Sequence, residues 1–196
     1  MEESPGAISL RADAARNQRT ILQAAARLLA DDPGASMQAI ADAAGVSRPT
    51  VYRRFPTRDA LLDAIREAVM EEAHALILHA ADSPAPGAEA LGELVRELGA
   101  VAGRYPVMID LMRARQGDQP HTPSKEQAAV QAAFDRLLER GRDDGSLRTD
   151  VSPDILRRVV FGALGAALKF SAEDGIDPDQ VGEAVAAIVL GGVRAH

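Results

Sequence analysis

Apolar residues in this chain recur at three- and four-residue intervals almost from end to end, and no stretch alternates as a half-buried strand must. That pattern restricts the fold to all-α. Ile21, Leu22, Ala25, Leu28 and Leu29 fall on one helical face, which stops at Asp31-Asp32-Pro33-Gly34. Ser36 caps a short second helix through Ile40 and Ala44, and Gly45 fits the left-handed position beyond its end. Ser47 caps a third helix, with Pro49 tolerated in the first turn because that amide has no helical partner. Thr57 opens a long fourth helix carrying Leu61, Leu62, Ile65, Val69, Ala73, Leu76 and Ile77, broken by the Pro/Gly-rich stretch 82–87. A fifth carries Leu91, Leu94, Val95, Leu98 and Val101, and a short sixth follows Pro106 with Leu111 and Met112. Beyond a loop at 116–124 come a helix with Val130, Phe134, Leu137 and Leu138, one from Ser152 through Leu168, and a last from Asp177 to about Arg194. Nine helices are expected in all.

The chain has 196 residues, 46% hydrophobic and 26% charged, with no cysteine. It is long enough for one ordinary domain or a small module joined to a larger one. Without cysteine there is no disulfide, thiolate metal site or cysteine nucleophile. The N-terminus begins acidic, without the basic and apolar regions of a secretory signal, and no apolar run approaches a membrane span. The expected location is cytoplasmic, with no membrane partner.

The net charge is −7, but its distribution is uneven. Residues 1–66 hold nine arginines and eight acids, whereas the remainder holds thirteen basic and twenty-one acidic residues. Gly45 to Arg58 contains four arginines and no acid. Two short helices joined by a glycine turn, the second opening on a capped basic turn, describe a helix-turn-helix. Arginine suits guanine edges, the threonine methyl suits thymine, and Arg or Tyr donors suit phosphates.

The stretch SMQAIADAAGVSRPTVYRRFPTRDALLDAI at 36–65 resembles the signature of the tetracycline-repressor (TetR) family of bacterial transcription regulators, with Ile40, Ala41, Ala44, Gly45, Val46, Ser47, Tyr52, Phe55 and Leu61 at its fixed positions. Ser36 stands where the family has threonine and Arg58 where it has lysine; the second change keeps the charge and alters the donor geometry. The resemblance implies an N-terminal helix-turn-helix domain at 14–56, preceded by a flexible arm at 1–13 and followed by a ligand-binding and dimerisation domain at 57–196. It further implies that Gln38, Arg48, Pro49 and Thr50 face base edges of double-stranded operator DNA. Tyr52, Arg54 and Arg58 would hold phosphates, Arg53 would do either, and Ser47 would cap the helix at that surface. Gly45, Val46, Val51 and Phe55 would pack the domain. Arg11, Arg16 and Arg19 would follow the DNA backbone or enter the minor groove.

For the larger domain, the helix containing Gly162 and Gly165 asks for a packing reason, because glycine in a helix interior costs about 1 kcal/mol relative to alanine. Phe161, Gly162, Gly165, Leu168, Val185, Ile188 and Val189 are expected at a two-fold, four-helix interface, although packing within one chain would also use them. Leu76, Leu98, Tyr105, Met108, Met112 and Phe134 are candidates for lining an effector pocket, and a helix-bundle core would use the same residues. With only 3% aromatic residues, an apolar rather than a ring-stacked ligand is expected. His74 and His79, five apart, do not share a face, so no metal is expected; nor is any cofactor or catalytic constellation.

The combined expectation is a homodimeric, effector-released repressor and not an enzyme. Its rivals are an effector-free DNA-binding protein of the same fold and a helical carrier or enzyme with a vestigial helix-turn-helix.

Overall fold

The computed structural model describes residues 5–107 and 125–193. Eight α-helices and no strand occur among them: α1 (Pro5–Asp31), α2 (Met37–Ala43), α3 (Arg48–Arg54), α4 (Arg58–Asp82), α5 (Gly87–Arg104), α6 (Lys125–Asp143), α7 (Pro153–Asp174) and α8 (Pro178–Val193). The expected all-α fold is present. The short helix anticipated after Pro106 lies outside the described residues, as do Met108 and Met112. The segment anticipated as an arm is helical from Pro5 onward. No helix among the described residues is long and apolar enough to cross a membrane.

The chain divides into two compact units, Met1–Val69 with Arg104–Leu111, and Met70–Gly103 with Met112–His196. The division falls inside α4 rather than in the loop before it. The reason is apolar burial, since Leu61 and Ile65 near the start of α4 are completely buried. In the first unit the core is built from Ile21, Leu22, Ala25, Ala26 and Leu29 of α1, Ile40 and Ala41 of α2, Val51 of α3, and Phe55.

In the second unit, α5 is buried over most of its surface, from Gly87 through Val101. Glycine makes that possible, because it lets helix backbones approach where a side chain would hold them apart. A Cβ at Gly99 of α5 would stand 2.8 Å from Cα of Gly182 in α8. A Cβ at Gly87 would stand 2.2 Å from Cα of Gly141 in α6. Leu91, Leu94, Val95, Phe134, Leu137 and Leu138 are buried in the same unit, with Leu156, Val160, Leu164 and Leu168 of α7.

The acidic turn between α6 and α7 closes the same unit. Gly145 has φ +74°, and the side chains on either side of it reach the start of α5. The Gly87 amide donates to Asp144 Oδ2 at 2.7 Å, and the Ala88 amide donates to Ser146 Oγ at 3.0 Å. These bonds satisfy two amides that the first turn of a helix leaves open. Asp144 Oδ1 also accepts from the Ser146 amide at 2.8 Å. The hydrogen bond from Ser146, followed by that from the Gly87 amide, holds the Asp144 carboxyl below the usual carboxylate range. At the other end of α4, Arg140 donates to the carbonyls of Ala81 (2.6 Å) and Ala80 (3.0 Å).

Two outcomes follow from this packing. Gly99→Ala, which forces backbone apart, will destabilise the protein by about 1–2 kcal/mol despite alanine's better helix propensity, as read from the urea midpoint. Asp144→Ala will cost about 1 kcal/mol through the lost cap. Because the folded-state pKa of Asp144 is depressed, its contribution is present above the unfolded carboxylate pKa of about 3.9 and is lost as pH falls through the lower folded value. The stability gap between the parent and Asp144→Ala will therefore narrow on acidification below about pH 4.

Candidate nucleic-acid interface

The surface of α3 is fixed by the turn that precedes it. Ser36 Oγ accepts from the Ala39 amide at 3.1 Å and opens α2. At the far end the Val46 amide donates to the Ala41 carbonyl at 3.0 Å and the Gly45 amide to the Asp42 carbonyl at 3.1 Å. With Gly45 at φ +66°, this is a Schellman closure, which L side chains resist. The chain then enters α3 through Ser47, whose Oγ accepts from the Thr50 amide at 3.4 Å and pairs with Thr50 Oγ1 at 2.8 Å. Pro49 occupies the first turn, where no amide is needed.

This entry sets which residues face inward. Val51 and Phe55 are buried, and the remaining α3 positions carry the polar surface. Arg48, Pro49, Tyr52 and Arg53 are exposed, while Thr50 and Arg54 are half-buried. Arg48 lies over the Tyr52 ring, its guanidinium carbon 5.1 Å from the ring centroid and Nη2 3.5 Å from the hydroxyl. Such a cation–π stack orders a long side chain that would otherwise sample many rotamers. Of the residues expected at base edges and phosphates, Arg48, Pro49, Tyr52 and Arg53 are exposed together on α3, which carries no acid.

Three of the expected contact residues are engaged in ways the sequence did not reveal. Arg54 Nη1 donates to Gln18 Oε1 of α1 at 3.0 Å, and its Nε is buried without a hydrogen-bond partner among the described residues. Arg58, expected at a phosphate, donates from Nη1 to the Ala35 carbonyl at 2.7 Å and from Nη2 to the Pro33 carbonyl. It fastens the first residue of α4 to the loop between α1 and α2. Gln38 is exposed and donates to Asp42 Oδ1 at 2.8 Å. The Gln38 and Arg48 pairings are i, i+4 and belong to helix geometry, whereas the Arg58 clamp spans a loop and leaves no local signal. Arg16 and Arg19 are exposed on α1, and the side chain of Arg11 lies outside the described residues.

The described candidate ligand residues of the second unit do not share one wall. Phe134 lines an open cavity of about 180 Å³ in the second unit, together with His74, Ile77, Gln127, Val130, Gln131, Arg157 and Phe161. Leu76 is half-buried and Leu98 is buried, neither in that wall, and Tyr105 is completely buried in the first unit. No group of three His, Cys, Asp or Glu able to hold a metal occurs among the described residues.

The candidate interface residues separate into two faces. Gly162 and Gly165 have open space where a Cβ would stand, Phe161 is exposed and lines the cavity, and Ile188 is 74% exposed. Leu168, Val185 and Val189 are buried within the subunit instead. Helical periodicity marks an apolar side chain without saying which of two apolar faces it serves. Ile155 and Val159, each 52% exposed, share the outward stripe of α7 with Gly162 and were missed for the same reason.

Residues 21–65 match the sequence profile of bacterial regulatory proteins of the tetR family, and residues 85–193 match that of the tetracyclin repressor-like C-terminal domain. The HTH-type transcriptional repressor LfrR of Mycolicibacterium smegmatis is 31% identical over 185 residues, covering 91% of this chain and 90% of its own. The crystal structure of LfrR from Mycobacterium smegmatis in complex with proflavine is similar with a TM-score of 0.63 at 28% identity, over 90% of this chain and 96% of that one. The TetR regulator SCO0520 of Streptomyces coelicolor has a TM-score of 0.62 at 29% identity, over 91% and 98% of the two chains. With the helix-turn-helix and the larger helical unit each matched in place, the chain belongs to the TetR family of bacterial transcription regulators.

Proposed function

We propose that this regulator is a homodimeric repressor that holds a roughly palindromic operator and is released from it by a small, largely apolar effector. The observation that carries the reading is the acid-free face of α3, where Arg48, Tyr52 and Arg53 are exposed around a helix seated by Val51 and Phe55. Arg48 would read a base edge, with Pro49 and Thr50 beside it. Tyr52 and Arg53 would hold phosphates. The acidic remainder of the chain would discourage DNA elsewhere.

Dimerisation is supported by the outward stripe of Ile155, Val159, Gly162 and Gly165 on α7 and by Ile188 on α8. Two interior glycines with nothing among the described residues against them are costly in a lone helix, and a second copy of the stripe gives them a packing purpose. Two copies of α3 related by the two-fold axis would enter successive major grooves about 34–36 Å apart. An effector that binds better to a dimer with another spacing lowers operator affinity by that difference, and DNA lowers effector affinity by the same factor. The proflavine complex of LfrR supports a ligand-responsive role for this chain. Arg58 would pass a shift of α4 to the carbonyls of the α1–α2 loop.

Arg48→Ala will weaken specific operator binding by about 1–3 kcal/mol and relax the preference at one base pair. Arg53→Ala will weaken all DNA sequences alike and reduce the salt slope by about 1, both measured by fluorescence anisotropy across a salt series. Ile188→Glu, at an exposed position, will leave helicity intact and yield monomers in sedimentation analysis. A persistent dimer would contradict the assigned interface.

A further inference from the structure

Arginines on the DNA-facing unit are held in two chemically different ways. Arg54 and Arg58 spend donors on protein oxygens, the first on Gln18 Oε1 and the second on the Ala35 and Pro33 carbonyls. Arg48 is held by a ring instead, its guanidinium carbon standing over Tyr52 at 5.1 Å from the centroid. The Tyr52 hydroxyl, 3.5 Å from Nη2, lies at the outer limit of a hydrogen bond, so the ring is the principal contact. Both side chains are exposed. Their i, i+4 spacing stacks them along one face of α3, while Val51 and Phe55 anchor the helix in the core.

The difference matters for reading DNA. An unrestrained arginine on a surface samples many rotamers, and ordering it on binding costs free energy. A carboxylate partner would lower that cost, but it would also cancel the charge that meets DNA and occupy the donors that read a base. An aromatic face orders the side chain through its quadrupole and leaves the positive charge intact. α3 carries no acid that could claim the guanidinium. Arg48 is therefore ordered without being neutralised.

We infer that Tyr52 is a specificity-determining residue that acts through Arg48, its ring positioning the guanidinium to meet the O6 and N7 acceptors of a guanine in the major groove. The assignment rests on the DNA reading of α3 and goes beyond a phosphate contact by the Tyr52 hydroxyl. Ring and hydroxyl are separable, because phenylalanine keeps the first and loses the second. Leucine keeps apolar bulk and helix propensity but has no quadrupole.

The test is fluorescence anisotropy of the full-length protein on a duplex selected from random-sequence DNA, with each G·C pair of a half-site changed in turn to A·T. The preference at a position is the ratio of two affinities measured on one preparation, so a misfolded fraction cancels. Arg48→Ala will abolish the guanine preference at one position and thereby identify it. Tyr52→Leu will lower the preference there by about two- to fivefold, as expected for an exposed cation–π contact, and Tyr52→Phe will retain it. In the Arg48→Ala background, Tyr52→Leu will change no preference further. A loss in Tyr52→Phe equal to that in Tyr52→Leu, or an effect of Tyr52→Leu that persists without Arg48, overturns the inference. If Arg48→Ala removes the guanine preference but Tyr52→Leu weakens all duplexes alike, the role of the ring falls and the reading of α3 stands. Arg48→Ala that weakens every duplex equally makes Arg48 a backbone contact and overturns the inference with it. Arg48→Ala that binds every duplex as the parent does overturns the reading of α3 itself.

Discussion

The left-handed turn at Gly45 is the constraint on which the DNA-facing unit depends. Because the backbone reverses there at φ +66° and closes two hydrogen bonds onto the end of α2, α3 leaves at one fixed angle. That angle puts Val51 and Phe55 into the core and so forces Arg48, Tyr52 and Arg53 outward. Ser47 sets the start of the helix, and with it the phase of every following side chain. A shift of one residue would rotate the basic face by about 100° and put Thr50 or Tyr52 where Val51 is now buried.

In the second unit the same residue type serves two opposite purposes. Gly99 and Gly182, like Gly87 and Gly141, bring helix backbones of one subunit together. Gly162 and Gly165 face open space on a stripe with Ile155 and Val159. The first set is explained within the chain, and the second fits the dimer interface proposed above.

Much of this was legible in the residue order because local physics determined it. Caps at Ser36 and Ser47, the glycine turn, the tolerated Pro49 and the inward Val51 and Phe55 all follow from rules acting over a few residues. What escaped was set by distant partners. The clamp of Arg58 on Pro33 and Ala35, the Gln18 bond of Arg54 and the Asp144 cap on α5 join residues far apart in the chain. Periodicity identified Leu168, Val185 and Val189 as apolar helix positions but not the face they occupy.

The central claim is that two copies of the α3 face, held by one symmetric interface, read DNA together. Hydroxyl-radical footprinting on a binding site selected from random-sequence DNA tests it directly. The account predicts two protected tracts on one face of the duplex, centred about one helical turn apart and related by two-fold sequence symmetry. A single tract, or selection of sites with no half-site symmetry, would contradict it.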